Sequence, residues 1–168
     1  NDKVIITMAG DHGVVAEKVS AYPQEVTPQM VLNFLAGGAA INVLAHHVGA
    51  RVVVVDMGVA NDIPTIDKKL IQRRVGTGTA NLAQGPAMTR AQAEESVQSG
   101  IEVALGEIAR GADIIGTGDM GIGNTTPSAA IACALMNESP EHVAGRGTGV
   151  DDDGLKRKIA VITRALDV

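Results

Sequence analysis

The run Gly116-Thr117-Gly118-Asp119-Met120-Gly121-Ile122-Gly123-Asn124-Thr125-Thr126-Pro127 gathers small, hydroxylated and acidic residues. It lies between the apolar Asp113-Ile114-Ile115 and the small-residue run Ser128-Ala129-Ala130-Ile131-Ala132. Strand, glycine loop and helix are expected in that order, with the strand ending near Gly116. Thr126 suits an N-cap with Pro127 at the first helical position, which would leave Thr125 and the unpaired amides of the first turn facing open space. Backbone donors at a helix N-terminus favour a phosphate, and Gly121 and Gly123 would let the backbone approach it without intervening Cβ atoms. A tight turn alone needs one glycine and a cap; it does not need Asp119, Asn124, Thr125 and Thr126 together. No Lys-Ser/Thr follows the last glycine, so this is not a Walker loop, and the glycine spacing does not follow the dinucleotide fingerprint.

Three other places carry residues able to do chemistry. Asp11 and His12 follow the apolar run Val4-Ile5-Ile6-Thr7-Met8-Ala9, just past the carboxyl end of an expected strand, where open parallel sheets bind ligands. The alternative for His12 is a loop histidine satisfied by a neighbouring carbonyl. The second glycine-threonine loop, Gly76-Thr77-Gly78-Thr79-Ala80-Asn81, offers through Asn81 a donor and an acceptor for a sugar or phosphate, or is simply solvated. Lys156, Arg157 and Lys158 follow three acids on a final helix spanning Asp151 to Asp167, which reads as a charge-paired surface helix.

The elements that must position these residues form an α/β pattern. Val4–Ala9 and Arg51–Gly58 are near-continuous apolar runs, as expected of strands covered on both faces. Thr27 is expected to cap a helix with Pro28 at its first position, and Gly37-Gly38 to pack closely or to break it in two. Adjacent His46 and His47 cannot form a metal pair alone and fit the end of that helix. A crossover of this length predicts a right-handed parallel unit. The polar stretch Asn61 to Lys69 leads to a further strand at Leu70–Val75, and Thr89 caps a helix ending near Arg110-Gly111. The segment Val14 to Val26, with Tyr22-Pro23, reads as a loop that covers or walls a pocket.

Composition narrows the function classes. The 168 residues are 45% apolar with twenty glycines and no repeat, which fits one domain with a sizeable core. A net charge of −5, with one Tyr, one Phe and no Trp, argues against a nucleic-acid surface. Cys133 stands alone, so neither a disulfide framework nor a thiolate metal site is expected. No signal peptide and no run long enough to span a bilayer is evident, and a cytoplasmic location is the expectation. Both ends look cut, since a core strand starts within a few positions of Asn1 and a helix closes at Val168.

Gly10-Asp11-His12-Gly13-Val14, Val19-Ser20-Ala21-Tyr22-Pro23, Glu25-Val26-Thr27, Gly85-Pro86-Ala87-Met88-Thr89 and Gly118 through Pro127 occur in a recognisable order. On these motifs the sequence resembles the nicotinate-nucleotide:dimethylbenzimidazole phosphoribosyltransferases of cobalamin synthesis. The resemblance implies the central part of a single Rossmann-like, three-layer α/β domain. An N-terminal helical segment and a C-terminal part would lie outside residues 1–168. It implies phosphoribosyl transfer from nicotinate mononucleotide to 5,6-dimethylbenzimidazole, without metal or cofactor, in a homodimer. Asp119 corresponds to an acidic position beside the ribose, and Lys158 to a lysine meeting the acidic site or the phosphate. Tyr22, Met30 and Met120 fall where the family shapes an apolar slot for the benzimidazole, while the family's glutamate base lies in the absent C-terminal part. Rival classes are a Rossmann-type nucleotide-cofactor enzyme, disfavoured by the missing fingerprint, and a non-catalytic nucleotide-phosphate-binding fragment.

Overall fold

The computed structural model describes residues 1–64 and 69–168, so part of the Asn61 to Lys69 stretch lies outside the described residues. Four strands, β1 (Asp2–Gly10), β2 (Ala50–Gly58), β3 (Leu70–Gln72) and β4 (Ala112–Met120), form a parallel sheet in the order β3-β2-β1-β4. The strand period of two sends alternate residues to opposite faces. On one face Val4, Ile6 and Val55 pack with Val103 of α3 (Arg90–Ala109). On the other, Ala9, Val54 and Leu70 pack under Val31 and Phe34 of α1 (Val26–Ala36) and Ala39, which precedes α2 (Ala40–His47). Both faces are covered, which is why the central strands read as unbroken apolar runs. The three-layer α/β expectation holds.

Local signals fixed some boundaries and misplaced others. The break at Gly37-Gly38 is real: Gly37 takes φ +79°, the left-handed conformation that ends α1. Thr89 caps α3 in a reciprocal box with Gln92. β4 runs to Met120, beyond the expected end near Gly116, because Gly116 and Gly118 sit against Ile5 and Thr7 of β1 in register. β3 is shorter than expected, ending at Gln72, since Arg73 and Val75 hydrogen-bond the end of β2 outside the ladder. Thr27 is not the cap of α1: the helix starts at Val26, and the Thr27 hydroxyl accepts from the Ile122 amide at 3.0 Å. His46 and His47 are exposed in the last turn of α2. The helical stretch Val26–His47 meets the length and apolar composition of a membrane span, correcting the expectation that no run does; it is broken at Gly37 and buries Val31 and Phe34 on the sheet.

The remaining helices, α4 (Thr125–Met136), α5 (Pro140–Val143) and α6 (Asp152–Leu166), cover the loops that follow the strands. Val161 packs on Val14, Val19 and Ala83, and Ile162 on Ala129, Ala130 and Cys133. Residues 13–19 are therefore anchored in the core, with a 3₁₀ turn at Gly13–Glu17, and are not a loose cover. At the opposite end of the sheet, Glu107 is 2% exposed and accepts from Arg51 Nη1 and Arg110 Nη1, both at 2.7 Å. Arg51 also donates to Asp2 from Nε (3.2 Å) and Nη2 (3.0 Å), which holds the Asp2 carboxyl below its ordinary pKa.

Candidate active site

β1 lies between β2 and β4, so the chain leaving β1 turns one way across the sheet and the chain entering β4 comes from the other. The crevice outside their carboxyl ends is the switch point where open α/β sheets take ligands. Asp11 and His12 come from β1, and Asp119 with the glycine loop from β4.

The loop is built by close approach. A Cβ at Gly121 would stand 2.1 Å from the Gly10 carbonyl oxygen and 2.9 Å from His12 Nε2, and one at Gly123, where φ is +82°, 2.8 Å from Val15 Cγ2. The Ile122 amide is held by Thr27, while the Asn124 and Thr126 amides close turns onto the Gly121 and Gly123 carbonyls. α4 begins at Thr125, two residues earlier than expected, and Thr126 is no cap: it is fully buried, and its hydroxyl has no partner among the described residues. Behind the helix start, Lys158 of α6 is 1% exposed and donates to Thr125 Oγ1 at 2.5 Å and the Gly145 carbonyl at 3.0 Å. No carboxylate pairs with Lys158 among the described residues, and burial lowers its pKa below the ordinary lysine value. Its ammonium thus stands beside the start of α4, where the helix dipole is positive.

Asp119 Oδ2 accepts from Asn124 Nδ2 at 2.9 Å, which orients the carboxylate at the end of β4. Beside it a cleft of about 190 Å³ opens toward α3, walled by Met8, Met57 and Met88, with Thr79, Gln92 and Ser96 at its polar edge. Asp11 forms part of its floor: Oδ2 accepts from the Ala60 amide at 2.7 Å, while the buried Oδ1 has no partner among the described residues. The His12 Nε2 is likewise buried without a partner. Burial lowers the His12 pKa, opposed by the charges of Asp119 and Asp11. Among the described residues no cluster of His, Cys, Asp and Glu is arranged to hold a metal.

Over residues 1–168 the chain matches the family model described as "Phosphoribosyltransferase". The chain belongs to this phosphoribosyltransferase family. Relatives named nicotinate-nucleotide--dimethylbenzimidazole phosphoribosyltransferase, from Roseiflexus castenholzii and Desulforudis audaxviator, are 58% and 57% identical over 99% of the chain. The crystal structure of CobT from Thermus thermophilus superimposes with a TM-score of 0.96 at 54% identity, over 99% of this chain and 50% of that one. The chain spans about half the length of the curated relatives it matches, 47% in each of the two cited.

In this phosphoribosyltransferase segment the expected site residues are only partly gathered. Gly121, Gly123, Asn124, Thr125, Thr126, Asp119 and Lys158 surround one loop, and Asp11 and His12 share a cleft with Asp119. Lys158 is a buried member of that group, contrary to the surface-helix reading of its segment. Met30 and Met120 pack at one hydrophobic cluster on the α1 face, whereas Tyr22 is 52% exposed on its loop. Asn81 stands apart, with its Nδ2 donating to Glu17 Oε1 at 2.7 Å and its Oδ1 accepting from the Ala83 amide at 3.0 Å. Thr27, which holds the loop amide, and the cleft residues Gln92 and Ser96 escaped sequence reasoning. For Thr27 the local signal is a hydroxyl at a helix start, which indicates a cap, and the Glu25-Val26-Thr27 motif marks the family without giving this residue a role.

Proposed function

We propose that the chain forms the donor-binding half of an enzyme transferring phosphoribosyl from nicotinate mononucleotide to 5,6-dimethylbenzimidazole, giving α-ribazole 5′-phosphate and nicotinate. The observation that carries this reading is the buried, carboxylate-free Lys158 ammonium fixed to Thr125 where the glycine loop turns into α4. A phosphate at the loop draws on this cation and on the helix start, and the ribose then extends toward Asp119. The pyridinium nitrogen takes the bonding pair from C1′ and leaves as a neutral ring nitrogen, so departure needs no acid. What it needs is stabilisation of positive charge developing at C1′, and a carboxylate held by Asn124 supplies that. Attack from the opposite side inverts C1′ and yields the α product, while the benzimidazole N–H proton passes to a base. The relatives are twice as long, and we assign that base to the part beyond this chain. Met30 and Met120 line the acceptor slot, and homodimer formation and a cytoplasmic location complete the proposal.

Calorimetric titration of the chain with nicotinate mononucleotide is the direct test, and binding without detectable α-ribazole phosphate formation is expected. Absence of binding would remove the donor-site assignment; turnover at a rate within tenfold of a full-length relative would place the base in this segment. Replacing the position matching Asp119 by Asn in such a relative lowers kcat with KM for the mononucleotide nearly unchanged, because the carboxylate acts on charge that develops during the step. A rise in KM alone would show that it only binds the ground state.

A further inference from the structure

We propose that His12 is a positioning residue for the donor site: the edge of its imidazole is the seat on which Gly121, and with it the phosphate loop, rests. The inference builds on the donor-site reading above and adds a residue to it.

The geometry leaves little freedom. The space that a side chain at Gly121 would occupy is filled from below by His12 Nε2, 2.9 Å from the position of a Cβ, by His12 Cδ2 at 3.1 Å and by the Gly10 carbonyl at 2.1 Å. His12 is itself pinned. It bridges Thr79, and the next residue, Gly13, donates its amide to the Thr79 carbonyl at 3.1 Å, in a space so tight that a Cβ there would meet Ala80 C at 2.6 Å. The ring therefore forms the wall between the methionine-lined cleft and the glycine loop, and its Nε2 is buried with no partner among the described residues.

An unprotonated Nε2 turns only a lone pair toward Gly121. Protonation makes both ring nitrogens donors, and a charged N–H buried without an acceptor is costly. The charged groups that face His12 are Asp11 from its own segment and Asp119 from the end of β4. The 76–79 loop and the start of α3 line the same cleft with uncharged Gly76, Gly78, Thr79, Gln92 and Ser96. A protonated ring gains most by turning toward one of the two carboxylates. Doing so vacates the seat of Gly121 or draws Asp119 from Asn124, and either movement loosens the donor site.

The test compares nicotinate mononucleotide affinity by calorimetry from pH 5 to pH 8 in the wild-type chain, H12Q and H12A, with thermal melts at each pH to certify folding. Protonation of the nucleotide's own phosphate is common to all three proteins, so the difference between their profiles isolates His12. We expect the wild-type affinity to fall at least tenfold more than that of H12Q as pH drops below 6. H12A should bind weakly at every pH, with the same shallow profile as H12Q. Parallel profiles for wild type and H12Q would overturn the proposal. If H12Q does not fold, proton NMR of the wild-type histidines with and without nucleotide decides: an unchanged His12 resonance and midpoint on saturation would equally overturn it. Failure of all variants and wild type to bind the mononucleotide or inorganic phosphate at any pH would instead sink the donor-site reading.

Discussion

The two ends of the sheet treat polar groups in opposite ways. At the amino-terminal end, Glu107 is buried but meets two guanidinium groups, and Arg51 links it to Asp2. At the carboxyl end, Asp11 Oδ1, His12 Nε2 and Thr126 Oγ1 are buried without partners among the described residues, and Lys158 is buried without a counter-charge. Asp56, which lies close to the end of β2, shows that an aspartate in such a place can be satisfied: its Oδ1 accepts from the Gly58 and Val59 amides at 3.0 and 2.9 Å. An unpaired buried polar group costs stability, and among the described residues the three side-chain atoms of this kind lie at the carboxyl end, around the proposed donor site. The amino-terminal end thus serves the fold, while the carboxyl end carries the proposed donor site.

Substitutions at the two ends should separate these roles. The largest effect is expected at Gly123, where valine would be forced into φ +82° and against Val15. G123V should weaken nicotinate mononucleotide at least a hundredfold, roughly 2.7 kcal/mol, read by calorimetry. In a full-length relative, equal loss of benzimidazole binding would indicate general unfolding instead. Lys158→Met comes next. Nucleotide affinity should fall about tenfold, while stability in urea stays level or rises, since an apolar chain of similar length replaces a desolvated cation. The pH dependence sharpens this. The folded-state pKa of Lys158 lies below the ordinary value, so the unfolded chain holds more protons in that interval and wild-type stability should climb with alkaline pH. That climb should be missing in K158M; an identical slope in both proteins would show that Lys158 is not the source. The smallest effect belongs to the opposite end. Glu107→Gln should cost about 1–2 kcal/mol of stability, limited because both arginines remain partly exposed, and should leave nucleotide affinity unchanged. A change in affinity would break the separation between the two ends.

Sequence legibility follows the same division. The β1 and β2 runs and the Thr89 cap are signalled by neighbours in the chain, and reading them needs nothing further. Thr27 and Thr126 carry the local signature of caps as well, but tertiary partners override it: one hydroxyl accepts from an amide that follows β4, and the other is buried inside α4. The extent of β4 was hidden because Gly116 and Gly118 look like loop residues until β1 lies beside them. Lys158 illustrates the limit best. Within α6 it is one basic residue among three, and only packing against the α4 start and the Gly145 carbonyl distinguishes it from exposed Lys156 and Arg157. Its assignment came from the family resemblance, since helical spacing could not supply it.

The sheet order also carries a consequence in time. Of the four described strands β1 comes earliest in the sequence and is one of the two inner ones, yet both its neighbours lie far along the chain: Lys3 pairs with Ala50 and Asp2 with Ala112. Closing such distant pairings is entropically slow, so the segment bearing Asp11 and His12 should remain unsettled until β4 has been synthesised. A nascent chain halted before Ala112 would show little amide protection in β1, and the ligand crevice would have no second wall. The capacity to bind a nucleotide should therefore emerge abruptly with the docking of β4 and not accumulate strand by strand.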